Sequence, residues 1–320
     1  LVGSEMCIRD RFYNFGLILY VWAIRLVAPR HPKARLWIEG RKDLFRRMRE
    51  AIAPTDRIIW IHVASLGEFE QGRPIIEQLR KTHPEYKILL TFFSPSGYEI
   101  RKNYKGVDYI FYLPIDTPGN ARRFLDAAHP EIAIFVKYEY WLNLLRELRR
   151  RKIRTYVVSA IFRRNSVFFR PYGGMWRQAL ESFDVMFVQN EESKRLLAGL
   201  GFDNVIVAGD TRFDRVAEIA KAAEGFVYCV SSLGVTGVRS QITTDIGAMV
   251  RLVKAANPDI PCAVGFGIST PEQAQKMALL SDGAIVGSAI VKLVAQYGRA
   301  AVPYIRDYTS AMKAAVTSSL

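Results

Sequence analysis

Ile58-Ile59-Trp60-Ile61-His62-Val63-Ala64-Ser65-Leu66-Gly67-Glu68-Phe69 is the stretch on which the fold turns. Its first half is an apolar run of strand length, rich in isoleucine and valine. A Gly-containing turn follows, and then a stretch through Ile75 to Leu79 with helical spacing. Strand, turn and helix form the repeat of a parallel sheet, because parallel neighbours need a crossover and a helix supplies it. The same pattern recurs downstream. Residues 87–93, 109–113, 132–136, 155–159, 185–188 and 205–208 read as strands, with helices over 97–105, 118–128, 141–151 and 191–200. Residues 50–215 are therefore expected to fold as an α/β domain with a Rossmann-like, doubly wound parallel sheet. Its chemistry should lie beyond the carboxyl ends of the strands.

Glu68 lies at such an end. Backbone N–H groups and the positive end of a helix dipole keep a carboxylate there ionised, as a general base acting on a hydroxyl requires. A first-turn glutamate that only complements the dipole is the plainer reading of the same residue. Ser94, Ser96 and Gly97 form a turn after the second strand, suited either to phosphate binding through N–H groups or to a simple helix cap. Arg163, Arg164 and Arg170 follow the strand ending at Ser159 and read equally as a phosphate-neutralising group or a solvated basic face. Arg149, Arg150, Arg151, Lys152 and Arg154 gather at a helix end, where cations suit the dipole.

Upstream, residues 12–28 are mostly apolar and aromatic, and Arg25, Arg30, Lys33 and Arg35 follow or flank them. A helix of this length spans about 26 Å, slightly less than the roughly 30 Å of a hydrocarbon core. A membrane anchor or a helix lying in the interface is expected, with the rest of the chain on the cytoplasmic side. A helix packed on the domain is the alternative. Residues 1–11, LVGSEMCIRDR, resemble a translated sequencing-adapter tract and are set aside, Cys7 with them.

The chain has 320 residues, half of them apolar, and a net charge of +14. From Glu224 onward 8 Lys and Arg face 6 Asp and Glu, so nearly all of the excess lies before that point. It suits an anionic surface such as phospholipid, and no nucleic-acid module accompanies it. Cys7, Cys229 and Cys262 form no disulfide framework. His31, His62, His83 and His129 lack metal-ligand spacing. Neither a metal nor a cofactor is expected.

Beyond Glu224 the text changes. Strands over 225–230, 262–266 and 283–286 alternate with helices over 244–256, 271–280, 289–297 and 304–315. Three β/α units in series are part of a (β/α)8 barrel.

Several motifs carry a family resemblance. The basic-flanked helix, Ser65-Leu66-Gly67-Glu68, Thr91-Phe92-Phe93-Ser94-Pro95-Ser96-Gly97 and Gly209-Asp210-Thr211-Arg212-Phe213-Asp214 run in order. They make residues 12–215 resemble the N-terminal half of 3-deoxy-D-manno-octulosonic acid (Kdo) transferase. The resemblance implies a B-type glycosyltransferase that moves Kdo from CMP-Kdo to the lipid A precursor. It would act at the cytoplasmic face of a Gram-negative inner membrane, in lipopolysaccharide biosynthesis. Glu68 would be the base, and Glu139 an acidic residue at the acceptor cleft. Ser94, Ser96 and Gly97 would lie on the acceptor side. Many relatives carry an acid two residues before Glu139, where this chain has Lys137.

Residues 224–320 resemble instead the C-terminal third of the tryptophan synthase α chain, through Gly234-Val235-Thr236-Gly237, Gly265-Phe266-Gly267-Ile268-Ser269 and Gly287-Ser288-Ala289-Ile290-Val291. That resemblance implies Gly237, Gly267, Gly287 and Ser288 around the phosphate of indole-glycerol phosphate, with Tyr228 and Thr236 in the substrate pocket. It also implies a cytoplasmic lyase partnered by a tryptophan synthase β chain. The lyase's acidic pair belongs to early barrel strands that this chain lacks. The transferase's donor domain is likewise missing after Asp214. The junction falls at residues 216–223. Motifs breaking down at one place favour a join of two gene fragments over a natural fusion, with neither activity expected of the chain as written.

Overall fold

The computed structural model describes residues 2–211, 216–230, 246–265 and 267–318; for residues 2–10 and Glu218 it describes the backbone alone. The chain divides into two units, Leu1–Thr211 and Arg212–Leu320.

The first unit begins with three helices, α1 (Val2–Val27), α2 (Pro32–Glu39) and α3 (Leu44–Ala51). Strand–helix alternation then runs β1 (Ile58–Val63), α4 (Leu66–Thr82), β2 (Lys87–Phe92), α5 (Pro95–Arg101), β3 (Tyr109–Tyr112), α6 (Pro118–Ala128) and β4 (Pro130–Val136). It continues through α7 (Leu142–Arg150), β5 (Arg154–Ala160), α8 (Gly174–Leu180), β6 (Val185–Val188), α9 (Glu191–Ala198) and β7 (Val205–Val207). The strands form one parallel sheet in the order β3-β2-β1-β4-β5-β6-β7. Every residue of β1 is buried. Its side chains alternate between two cores: Ile58 and Trp60 join one, while Ile59, Ile61 and Val63 join the other. Two apolar layers on opposite faces are what a doubly wound sheet requires.

Strand positions agree with the sequence reading to within two residues at each end. Helices α2, α3 and α8 were not anticipated. The helix expected over 12–28 begins at Val2, since no proline interrupts the intervening residues. Its residues divide between two sides. Tyr13, Asn14, Leu17, Val21, Ile24 and Ala28 are at least partly buried, whereas Phe12, Phe15, Leu19, Trp22 and Leu26 are exposed. The latter recur at alternating spacings of three and four and so share one stripe. Among the described residues, no helix is long and apolar enough to cross a membrane.

Two buried charges fasten the helices over the sheet. Arg41 donates to the carbonyls of Trp37, Phe93 and Leu113 at 2.8–2.9 Å, and lies over the rings of Trp37, Phe93 and Tyr112. Burial lowers its pKa to about 9, against the influence of Tyr112 and Tyr20. Asp116, from the loop after β3, accepts the N–H groups of Asn143 and Leu144 and the hydroxyl of Tyr13 at 2.8–2.9 Å. It thereby caps α7, whose own N-cap residue Trp141 makes no side-chain cap, and ties α1 to the domain.

The second unit holds α10 (Val216–Ala222), β8 (Val227–Val230), α11 (Ile246–Ala256), β9 (Cys262–Gly265), α12 (Pro271–Ala278), β10 (Gly283–Ile285), α13 (Ser288–Tyr297) and α14 (Ala301–Thr317). Its three strands are parallel and lie side by side in chain order. That is the winding of a barrel segment of three β/α units. Cys229, Val250, Val253, Cys262, Val264, Met277 and Met312 form its core, and both cysteines are free thiols.

Replacing Asp116 by Ala strands three donors at once. Urea unfolding followed by circular dichroism should show a loss of about 2–4 kcal/mol, and Tyr13→Phe a smaller loss. Unchanged stability in Asp116→Ala would refute the capping role.

Candidate functional site

The sheet order reverses between β1 and β4, and ligands of such sheets bind in the crevice outside the strand ends at that reversal. Glu68 follows β1 and Glu139 follows β4, so the two predicted carboxylates meet there. Glu68 stands in the first turn of α4, and its Oε2 accepts the N–H groups of Ala64 at 2.7 Å and Ser65 at 3.1 Å. Burial raises its pKa to about 7, and the charge of Glu139 adds to the rise; the two N–H groups and Lys137 oppose it. A carboxyl group poised there can exchange a proton with a hydroxyl at neutral pH.

Glu139 is buried and held from two sides. Its Oε2 accepts the Trp141 indole N–H at 2.7 Å and lies 3.0 Å from His62 Nε2. His62 Nδ1 lies 2.9 Å from the Thr91 hydroxyl, which accepts the Trp60 indole N–H at 2.8 Å. His62 and Thr91 are register partners on β1 and β2. The scattered-histidine reading of the sequence missed this role. The available signal was a histidine and a threonine placed inside two otherwise apolar strands.

Phe93 and Trp141 pack with ring centroids 4.6 Å apart, and Phe93 stacks on Tyr20 of α1. The aromatic contacts thus run from the first helix to the carboxylate pair. Lys137 adopts a left-handed backbone, φ 71°, directly after β4, and its ammonium lies 5.4 Å from the Tyr138 ring centroid. Strained non-glycine backbone of this kind concentrates at functional sites.

The remaining predictions resolve unevenly. Ser94 caps α5, accepting the Ser96 N–H at 3.3 Å, so the cap reading holds for its side chain. A Cβ on Gly97 would come within 2.4 Å of the Phe92 ring and 3.0 Å of the Ser65 backbone, so glycine there lets α5 approach the Glu68 turn. Asp210 accepts from the Gln71 amide, and the Thr211 hydroxyl donates to the Gln71 carbonyl at 2.6 Å, one turn beyond Glu68. Arg149, Arg150 and Arg151 are engaged by Glu181, Glu147 and Asp126, while Arg163, Arg164 and Arg170 are exposed.

In the second unit Gly267, with φ 87°, follows β9, and Gly287 and Ser288 start α13 after β10. They share one end of that sheet. Tyr228 lies on β8, against Gly265. Gly237 and Thr236 fall outside the described residues. Among the described residues, no three His, Cys, Asp or Glu side chains group to hold a metal.

The raised pKa of Glu68 gives a signed expectation. Its contribution to stability is present below the ordinary carboxyl value and is lost as pH rises through about 7. Glu68→Gln should therefore unfold at higher urea than the parent at pH 8, with the advantage fading at pH 4. An advantage that instead grew as pH fell would contradict the burial argument. Carboxyl 13C titration should place the midpoint near 7, and Glu139→Gln should lower it.

A model of the N-terminal region of 3-deoxy-D-manno-octulosonic-acid transferase matches residues 39–215, and one of the tryptophan synthase α chain matches residues 183–317. The two overlap over 183–215, within the strand–helix text of β6, α9 and β7. A tryptophan synthase α chain of Lactiplantibacillus plantarum is 51% identical over 102 residues, covering 32% of this chain and 38% of its own length. One of Geobacillus stearothermophilus is 35% identical over 170 residues, covering 48% and 63%. The chain thus spans less than two thirds of either relative. A solved UDP-GlcNAc 2-epimerase of Methanocaldococcus jannaschii aligns over 72% of this chain and 74% of its own, at 17% identity and TM-score 0.42. The switch-point carboxylates fall inside the first matched region, and that match spans more than half of the sequence: through residues 39–215 the chain belongs to the Kdo transferase family, and its later part resembles the tryptophan synthase α chain.

Proposed function

We propose that the first unit is the acceptor-binding, proton-accepting half of an enzyme that transfers Kdo from CMP-Kdo to the lipid A precursor. The observation that carries this reading is the meeting of Glu68 and Glu139 at the sheet's switch point, with the Glu68 pKa raised to about 7. In the transfer, Glu68 takes the proton of an acceptor hydroxyl. The freed oxygen pair forms the new bond to the anomeric carbon of Kdo, and the bond to CMP breaks with its electrons leaving on the phosphate. Glu139 sits on the acceptor side, with Ser94, Ser96 and Gly97 lining the approach. Residues 183–317 match the tryptophan synthase α chain, so the reading concerns the acceptor side of the reaction alone.

The exposed stripe of α1 supports a location on the cytoplasmic face of the inner membrane. Phe12, Phe15, Leu19, Trp22 and Leu26 lie on the side of the helix away from Tyr13, which binds Asp116. Cationic residues follow in sequence. An amphiphilic helix lying in the interface fits this pattern without crossing the bilayer. The contacts from Tyr20 through Phe93 to Trp141 would set the cleft beside the surface that presents a lipid acceptor.

A second reading, a tryptophan synthase α activity partnered by a β chain, draws on the family match over residues 183–317 and on the named relatives. Gly267, Gly287 and Ser288 would then cradle a phosphate.

Purified chain should bind lipid A precursor in a calorimetric titration, and absence of binding would sink the acceptor reading. The chain should also co-sediment with vesicles of anionic phospholipid. Trp22→Glu and Phe15→Glu should each weaken that binding by roughly tenfold or more, the worth of one buried aromatic; equal binding by both variants would exclude α1 as the contact.

A further inference from the structure

His62 is fully buried in the centre of β1 and takes no part in the chemistry proposed above. Its surroundings nevertheless constrain where its proton sits. Trp60 Nε1 can only donate, and it donates to the Thr91 hydroxyl at 2.8 Å. That leaves the hydroxyl one hydrogen of its own, and His62 Nδ1 lies 2.9 Å away to receive it. On the other side, Trp141 Nε1 can also only donate, and its hydrogen faces both Glu139 Oε2 at 2.7 Å and His62 Nε2 at 3.1 Å, the carboxylate oxygen being the nearer and the charged acceptor. His62 Nε2, 3.0 Å from the same oxygen, then faces a carboxylate and needs a hydrogen to face it favourably. An arrangement that gives every member a partner is Trp60 N–H to Thr91 oxygen, Thr91 O–H to His62 Nδ1, His62 Nε2–H to Glu139, and Trp141 N–H to Glu139 rather than to the more distant His62 Nε2.

The opposite tautomer would let Nε2 accept the Trp141 N–H at 3.1 Å, but it leaves the Thr91 hydrogen without its imidazole acceptor and sets a lone pair against the carboxylate 3.0 Å away. A protonated Glu139 could repair the second fault but not the first. Imidazolium would also displace the Thr91 hydrogen and would add a charge at a site without solvent.

We infer that His62 is a positioning residue: as the Nε2–H tautomer, set by the Thr91 hydroxyl, it holds the Glu139 carboxylate fixed beside Glu68. Trp141 supplies the second donor to the same oxygen. The groups around the two carboxylates are then His62 from β1, Thr91 from β2, and Lys137, Tyr138 and Trp141 from the segment after β4. Through the charge of Glu139, His62 sets how readily Glu68 takes a proton. Its importance for transfer rests on the acceptor-cleft reading; its tautomer does not.

The test uses the full chain labelled with 15N in its four histidines, with the His62 signals assigned by their absence in His62→Gln. At pH 8 a bare, pyridine-type Nδ1 and a protonated, pyrrole-type Nε2 are expected. A protonated Nδ1, alone or as imidazolium, would overturn the inference. Thr91→Val, nearly equal in shape, should introduce the Nδ1–H tautomer, and Thr91→Ser should restore the parent pattern; an unaltered tautomer in Thr91→Val would also overturn it. In His62→Phe, Glu139 loses the donor that holds it beside Glu68, so the Glu68 carboxyl midpoint should fall from near 7. A midpoint that stays put in a folded His62→Phe chain refutes the positioning role. If that variant does not fold, the Thr91 pair decides. No readout involves a sugar or lipid, so loss of lipid A precursor binding would count against the transferase reading alone.

Discussion

The first unit depends on β1 being enclosed on every side. It is paired in parallel with β2 and β4, and its two faces feed separate apolar layers. A strand in that position has no freedom to slip, because a one-residue shift would exchange the layers. That rigidity makes its carboxyl end a useful place for chemistry. The turn at Ala64 and Ser65 inherits a fixed position from β1, and Glu68 inherits it from the turn through two N–H groups. Glu139 is fixed the same way by β4, with His62 bridging back to β1.

Much of this arrangement was legible in the sequence. Strands buried on both faces read as continuous apolar runs, so β1, β2 and β4 announced themselves. Helices α2, α3 and α8 did not. In α3 the N-cap Asp43 lies in the left-handed region without a side-chain cap, and α8 begins at a Gly-Gly pair. Their stability comes from tertiary contacts such as the Arg41 cluster, which local propensity does not encode. The polar ladder was hidden for a related reason. His62 finds Thr91 across 29 positions and Glu139 across 77, and no spacing rule connects such residues before the sheet order is known.

The change of character along the chain has a physical explanation too. Residues 183–215 match both family models, because a strand followed by an amphipathic helix is the same local text in a doubly wound sheet and in a barrel. What differs is the neighbour each strand takes. In the first unit the order turns back at β1, so β4 lies beside β1 and not beside β3; in the second, β8, β9 and β10 follow one another. Local pattern sets the repeat, and the turning back creates the crevice. The sequence divides into two sets of motifs where the structure changes from one winding to the other.

Glu68 shows why a structural and a chemical reading of one residue need not compete. Both backbone donors go to Oε2, so the capping function is complete with half of the carboxyl group. Oε1 has no hydrogen-bond partner among the described residues. The cap orients the group, restricts its rotation and supplies N–H dipoles that partly offset burial and the charge of Glu139. A glutamate without the cap would be mobile, and one without burial and, next to it, the acidic neighbour would bind its proton too weakly to act as a base near pH 7. The feature that makes Glu68 look like an ordinary helix start is therefore part of what equips it to accept a proton.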